Sequence, residues 1–193
     1  MRESKMNSFY SKKELKELGL HSYGEDVQIS RKCSIYGAEN INIENHVRID
    51  DFCILSGKIT IGNHVHISAY TGLYGGSAGI VIEDFVSISS RNAVYAVSDD
   101  YSGEGMANPT IPDKYRKVIQ ASVTISRHVL IGSGCTILPG VIVKEGSSVG
   151  AMSLINKSLE PWGMYAGIPC RRLKDRDKKL LELEKQYLRE QNE

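Results

Sequence analysis

Asp99 and Asp100 stand side by side at the start of SDDYSGEGMANPTIPDKYRKV, a stretch that follows none of the pattern around it. Adjacent carboxylates can hold an ammonium group and accept or relay its proton, or they can simply open a turn. The other groups that titrate near neutrality are five histidines, His21, His46, His64, His66 and His128. Four cysteines (Cys33, Cys53, Cys135 and Cys170) lie far apart with no CxxC pair, which reads as reduced structural thiols in a cytoplasmic protein.

What must position these groups is a repeat. IENHVR (43–48), IGNHVH (61–66), IEDFVS (82–87), ISRHVL (125–130) and VKEGSS (143–148) are each followed by another sextet: IDDFCI, ISAYTG, ISSRNA, IGSGCT and VGAMSL. Every one opens on Ile or Val. The first set starts at Ile43, Ile61, Ile82, Ile125 and Val143, in steps of 18, 21, 43 and 18 residues. Eighteen is three sixes, so three flat faces of six residues return the chain above itself. The 21 step is one turn plus three residues near Gly75-Gly76, and the 43 step is one turn plus a 25-residue insertion, about 98–122. Stacked rungs align aliphatic side chains inside a prism, and parallel ladders between turns pair the backbone. A period of six does not fit an amphipathic helix. The fold expected is an all-β solenoid, a parallel β-helix with a long inserted loop and short helices at its ends.

One domain over 1–193 is expected: a helical cap over 1–24, the β-helix over 25–172 and a C-terminal helix over 173–193. Ser11 and Glu14 have capping-box spacing before Leu15 and Leu18, and Leu173, Leu180, Leu183 and Tyr187 form a helical stripe. Terminal helices hide the open ends of a solenoid. Lys plus Arg is 24 and Asp plus Glu 23, a balance that argues against nucleic acid or an anionic membrane as partner. No apolar run approaches the roughly 20 residues a membrane span needs, and the first residues lack the apolar core of a signal peptide.

The block RHVLIGSGCTILPGVIVKEGSSVGAMSLINKSLEPWGMYAGIPCRRL (127–173) resembles the C-terminal half of hexapeptide-repeat acetyltransferases, including the galactoside and maltose O-acetyltransferases. RIDDFCILSGKITIGNHVHISAYTGLYGG, with the SDDYSGEGMANPTIPDKY segment, is closer still to the acetyltransferases of dTDP-4-amino-4,6-dideoxyglucose used in bacterial surface polysaccharide synthesis. The resemblance covers about 25–173. It implies a left-handed coil and a homotrimer with acetyl-CoA as co-substrate in the cleft between prisms. Gly132, Ser133, Gly134, Gly150, Ala151 and Ser153 are then expected along the pantetheine, where small residues allow close approach. Lys157, Arg171 and Arg172, with Pro169, are expected near the CoA phosphates and adenine. On the acceptor side the candidates are Asp51, Tyr74, Ser90, Arg91, Tyr95 and His66, with Asp50 and Tyr70 nearby, for a sugar that is nucleotide-linked.

In the O-acetyltransferases the start of the inserted loop carries a histidine that takes the proton from the acceptor hydroxyl. Aligning the rungs puts Asp100 there, with Asp99 beside it. A carboxylate of pKa about 3.9 is a weak base for a hydroxyl, whereas a neutral amine attacks a thioester directly and sheds its proton afterwards. The exchange favours transfer to an amino group. Sugar O-acetylation is the alternative. A zinc enzyme like the γ-carbonic anhydrases would need histidines at a five-residue step on a neighbouring coil, and His128 has Val123 and Ser133 there, so no metal is expected. A non-catalytic scaffold is the remaining alternative. His46, His64 and His128 share the fourth rung position, an outward corner that the repeat alone explains.

Overall fold

The computed structural model describes residues 8–191; positions 1–7 of the expected N-terminal cap and 192–193 of the expected C-terminal helix lie outside the described residues. The chain forms a left-handed parallel β-solenoid. Its register is the one the repeat requires. On the first face Ile43 pairs with Ile61, Ile61 with Ile82, Ile82 with Ile125 and Ile125 with Val143. On the second face Ile49, Ile67, Ile88, Ile131 and Val149 follow one another, and on the third Leu55, Leu73, Val94, Ile137 and Ile155 do so. The first-face side chains are at most 1 % exposed. Burying each stabilises the prism by roughly 1.5–3 kcal/mol, which no single two-residue rung could gain alone.

The corners explain much of the remaining sequence. At the corner between the first and second faces, Asp26, His46, His64, Phe85, His128 and Trp162 all have φ between 50° and 61°. At the corner between the second and third faces, Phe52, Tyr70, Arg91 and Met152 do the same, at 59–63°. The tight turn demands the left-handed region, so any residue other than glycine there carries strain of the order of 1 kcal/mol. One place later in the second corner each coil offers a small donor to a turn carbonyl: Cys33 to Asp50, Cys53 to Ser68, Thr71 and Asn92 to Ser89, Cys135 and Ser153 to Gly150. This gives three of the four cysteines a structural task as weak hydrogen-bond donors.

Both insertions leave from the third corner, between the third and first faces. The long one is not an irregular loop. Val97–Asp99 pairs antiparallel with Val118–Gln120, so it departs and returns as a two-stranded arm with a 3-10 turn over Asp113–Tyr115. The short one is a bulge at Gly75–Gly79, where the register to the coil before shifts. A Cβ on Gly75 would sit 2.2 Å from the Lys58 carbonyl oxygen, so only glycine lets the coils close here.

The capping box is formed: helix α1 (Lys12–Glu17) has its Glu14 amide donating to Ser11 Oγ and its Ser11 amide to Glu14. Leu15 beneath it is buried, and Glu14 pairs with Arg31 of the first coil at 2.7 Å. Ser11→Ala is expected to cost about 1 kcal/mol, read as a lowered midpoint in urea denaturation.

The expected helix over 173–193 is corrected. Arg171–Asp175 is a strand, antiparallel to Gly163–Ala166 of the last coil, and Leu173 on it is exposed. The last coil would otherwise present an open row of backbone donors and acceptors; the strand pairs with it. Helix α2 (Leu180–Gln191) begins only after this and folds back along the first corner. There the rings of His46, His64, Phe85 and His128 stack at 4.7, 4.8 and 5.3 Å, and Tyr187 of α2 meets His64 edge-on. His128 shares the corner with His46 and His64 as the repeat requires, but α2 covers it: it is buried, with Nε2 2.9 Å from Glu184.

Candidate active site

The arm overhangs the third face and encloses a cleft of about 770 Å³, within the range of small-molecule sites. Its roof is Val97, Ser98, Asp99, Tyr101 and Ile119 of the arm. Its floor is Tyr95 with Thr136, Leu138, Pro139 and Asn156 of the following coils. Tyr95 stacks on Tyr74 of the coil before, 4.9 Å between centroids. Burial, with Tyr74 and Tyr101 beside it, raises the Tyr95 phenol above its ordinary pKa, so it stays a neutral donor at physiological pH.

The two aspartates part company. Asp99 lines the cleft; its carboxylate accepts from Arg116 Nη2 and from the Asn108 amide, each at 3.3 Å. Arg116 also reaches Asp113 at 3.1 Å, and its buried Nε has no hydrogen-bond partner among the described residues. Asp100 instead ties the loop. Its carboxylate accepts the Ser102 hydroxyl at 2.8 Å and the amides of Ser102, Glu104 and Gly105 at 3.1, 2.8 and 3.2 Å. These bonds hold its pKa at about 2.

The arm is seated on the bulge. Gln120 Oε1 accepts from the Ser77 amide and hydroxyl, and a Cβ on Gly76 would meet Val97 at 3.2 Å. Gln120→Ala is expected to let the roof shift by a fraction of an ångström and to lower kcat about tenfold. The KM for acyl-CoA and the melting temperature should change little, since Ser77 and Gln120 are exposed. Steady-state kinetics beside a thermal melt checks this.

The remaining candidates sit elsewhere. Asp51, Ser90, Arg91, Ser133, Gly134, Gly150 and Ala151 all fall on the second corner, a face away from Asp99. Ser90 and Ser133 are in-line neighbours, Oγ to Oγ 3.4 Å. Asp51 pairs with Lys32 at 2.7 Å and accepts from Ser30; Lys32 and Ser30 lower its pKa. His66 is held by Asp50 at 2.8 Å, which Arg48 also pairs at 2.7 Å. Burial pushes Asp50 up, but His66 and Arg48 outweigh it and hold the carboxyl low. Ser153 is buried, its hydroxyl donating to Gly150 and accepting from the Gly167 amide. Gly132 is needed for stacking: a Cβ would lie 2.6 Å from the Ala151 nitrogen. Lys157, Pro169 and Arg171 are exposed. Arg172 pairs with Asp175 at 2.7 Å and lies over the Tyr165 ring. Sequence reasoning missed Arg116, Ile119, Leu138 and Asn156; the last two lie on the rungs after Thr136 and Leu154, one and two coils beyond Tyr95, and register alone could have found them. Among the described residues no group of three or more His, Cys, Asp or Glu is placed to hold a metal, and no helix is long and apolar enough to cross a membrane.

No family model matches the chain. It is 44% identical over 174 residues to the dTDP-4-amino-4,6-dideoxy-D-glucose acyltransferase of Escherichia coli, covering 89% of this chain and 90% of that one. It is 29% identical over 120 residues to the galactoside O-acetyltransferase of Escherichia coli, covering 61% and 58%. Among solved structures, AntD, an N-acyltransferase from Bacillus cereus in complex with dTDP and 3-hydroxybutyryl-CoA, superposes with a TM-score of 0.95 at 52% identity over 97% of this chain and all of that one. A hexapeptide-repeat acetyltransferase from Vibrio cholerae shares the fold alone, at 21% identity and a TM-score of 0.59 over 86% of this chain and 80% of that one. With the coil register, the arm and relatives of this identity over nearly the whole length, the chain belongs to the hexapeptide-repeat acyltransferases that use CoA-linked acyl donors, in the family of the dTDP-4-amino-4,6-dideoxyglucose acyltransferases.

Proposed function

We propose that the protein transfers an acetyl group from acetyl-CoA to the amino group of a nucleotide-linked 4-amino sugar, in the cytoplasm, for a bacterial surface polysaccharide such as lipopolysaccharide. The observation that carries this is the carboxylate of Asp99, rather than an imidazole, facing the cleft. The neutral amine attacks the thioester carbonyl; the C–S bond breaks and CoA leaves as thiolate; the proton shed by the new ammonium nitrogen passes to Asp99 or to water. A carboxylate suffices because the proton leaves after the C–N bond has formed. AntD has been crystallised with dTDP-4-amino-4,6-dideoxyglucose and CoA, and with substitutions at one serine and at one aspartate ten positions further on. Ser89 with Asp99, and Ser90 with Asp100, stand at that spacing here.

A homotrimer completes the site. The acceptor and cofactor candidates on the second corner and Asp99 under the third-corner arm lie at opposite edges of the third face. A neighbouring prism can bring the two edges together in one cleft. The enzyme is expected to elute as a trimer in light-scattering chromatography.

The deciding experiment follows CoA release with dTDP-4-amino-4,6-dideoxyglucose and with the sugar bearing a hydroxyl at the same carbon, using acetyl-CoA and 3-hydroxybutyryl-CoA in parallel. Turnover on the amine at least a hundredfold above the hydroxyl is expected. Equal rates on the hydroxyl would return the protein to the O-acetyltransferases, and faster turnover with 3-hydroxybutyryl-CoA would replace acetyl as the group moved.

A further inference from the structure

Arg116 carries, in its Nε, the one buried side-chain nitrogen or oxygen without a hydrogen-bond partner among the described residues. A stranded donor destabilises the fold that holds it. The ion pairs of Arg116 do not make up for this. The exposed arginines Arg31, Arg48 and Arg172 close on their carboxylates at 2.7 Å. Arg116, only 17 % exposed, stands 3.3 Å from Asp99 and 3.1 Å from Asp113. Each contact uses a single Nη, and Asp113 is 96 % exposed, so solvent screens that pair. A guanidinium kept for stability would face one carboxylate with two parallel bonds. This one is lodged between an exposed carboxylate and the carboxylate that lines the cleft.

What Arg116 changes is the charge that Asp99 shows. Asp99 Oδ1 accepts from Arg116 Nη2, and Oδ2 accepts from the Asn108 amide. A carboxylate has about four lone-pair sites, so both oxygens keep room for an acceptor nitrogen. The other ionisable groups nearby leave the charge of the site to this pair. Asp100 is tied to the amides of Ser102, Glu104 and Gly105. Lys117 pairs with Glu104 across the arm, and the cleft adds only the phenols of Tyr95 and Tyr101. An unopposed carboxylate favours the ammonium form of an amine, and a cation at its side disfavours it. The ammonium form has no lone pair and cannot attack a thioester.

We propose that Arg116 is a positioning residue that offsets the charge of Asp99, so that the acceptor amine sits in the cleft neutral and nucleophilic rather than trapped as an ammonium ion. The inference rests on the reading above that the acceptor is an amine. Asp99 alone would hold the protonated amine in an unreactive ion pair. With Arg116 against one oxygen, the pair is close to neutral before attack. Once the C–N bond has formed, the nitrogen carries the positive charge and its proton leaves for Asp99 or water. Arg116 takes no part in that transfer, because a guanidinium stays protonated throughout.

Steady-state kinetics of the full-length protein with dTDP-4-amino-4,6-dideoxyglucose and acetyl-CoA, followed across pH, tests this role. In Arg116→Gln the bound amine should keep its proton to higher pH, so the acid limb of kcat should move up by about one unit. Below that limb kcat and the acceptor KM should fall together, each about tenfold, because the ammonium form binds more tightly and unproductively; kcat/KM should stay within about twofold. On the alkaline plateau kcat should return to within a few-fold of the wild type. Arg116→Lys keeps the charge and should keep the wild-type limb, and Asp113→Asn should leave it in place. Arg116→Gln protein that is folded by thermal melting and shows an unshifted limb overturns the role. So does a fall in kcat/KM by one factor at every pH, which would make Arg116 a structural part of the arm. A limb that moves equally in Arg116→Lys overturns the part given to charge. Wild-type protein that turns over the hydroxy sugar and not the amino sugar is a separate failure: it removes the amine itself, and the role of Arg116 with it.

Discussion

Asp99→Asn is expected to lower turnover of an amino-sugar acceptor about a hundredfold, the low end of what a proton acceptor contributes. The amide keeps the shape of the carboxylate but one acceptor oxygen, so it retains either the contact with Arg116 or that with the Asn108 amide, while the strand pairing of Val97–Asp99 with Val118–Gln120 still holds the arm. What it loses is the charge that holds an ammonium group and the capacity to take its proton. Asp100→Asn should cost less, within about tenfold, because that carboxylate is spent on Ser102, Glu104 and Gly105 and its loss reaches the chemistry only by loosening the loop. Single-turnover rates for the two variants settle the order; a larger loss at Asp100 would move the role there. The pH dependence adds a check. The Asp100 pKa is depressed from 3.8 to about 2, so what it contributes to the loop is fully present above the unfolded value and is lost only as pH falls from about 4 through 2. The loop stays tied across the working range. The acid limb of the pH–rate profile therefore follows deprotonation of the acceptor amine, with activity rising as pH rises.

Glu184→Ala is expected to cost about 2–3 kcal/mol and to lower the melting temperature by about 5–10 °C. Glu184 is 12 % exposed, pairs with Arg127 and accepts from His128, itself 6 % exposed. Removing it takes away the carboxylate that both the buried His128 and Arg127 face, and leaves Arg127 its longer ion pair with Asp84, 3.2 Å. The contacts of Arg176 with the carbonyls of His128, Gly146 and Ser147 remain, so the segment before α2 should stay attached while α2 loosens. Acid should act on the same contact. Burial lowers the His128 pKa below 6.5, with Arg127 and Arg176 adding to it; burial and His46 lower that of His64. Both imidazoles take up protons more readily unfolded than folded. Stability is then complete above pH 6.5 and falls as pH drops from 6.5 through the lowered values. Melting curves at pH 7.5 and 5.5 should differ more for the wild type than for His128→Gln.

The coil register was legible because one aliphatic residue per rung must be buried and the pleat allows no slip without exposing it. Ile61 and Ile82 pair as the 21-residue step requires, and the three extra residues fall at the bulge. Ser11 and Glu14 were legible because a cap is local. What stayed hidden depends on contacts distant in sequence. Leu173 fits a helical stripe, but the open edge of the last coil offered it a strand. His128 shares its rung position with His46 and His64, yet only His128 lies against Glu184, 56 residues away. Asp99 and Asp100 are indistinguishable by type; Asp99 ends the paired strand over the cleft, and Asp100, the first residue past it, is taken by the hydroxyl and amides of the loop. Arg116 was missed because its partner is 17 residues back, across a hairpin no motif announces.

Both insertions leave from the third corner, and neither disturbs the pairing of Ile61, Ile82 and Ile125. The solenoid thus keeps two separate ledgers of chain length: rungs, where one residue more would turn every side chain inside out, and one corner, where length is nearly free because closing a longer loop costs only about 0.6 kcal/mol per doubling. Acceptor preference in such a scaffold is modular. The bulge and the arm form a matched cassette, and moved together between two coils of the same register they should carry the roof of the cleft with them, whereas either moved alone would arrive without its seat.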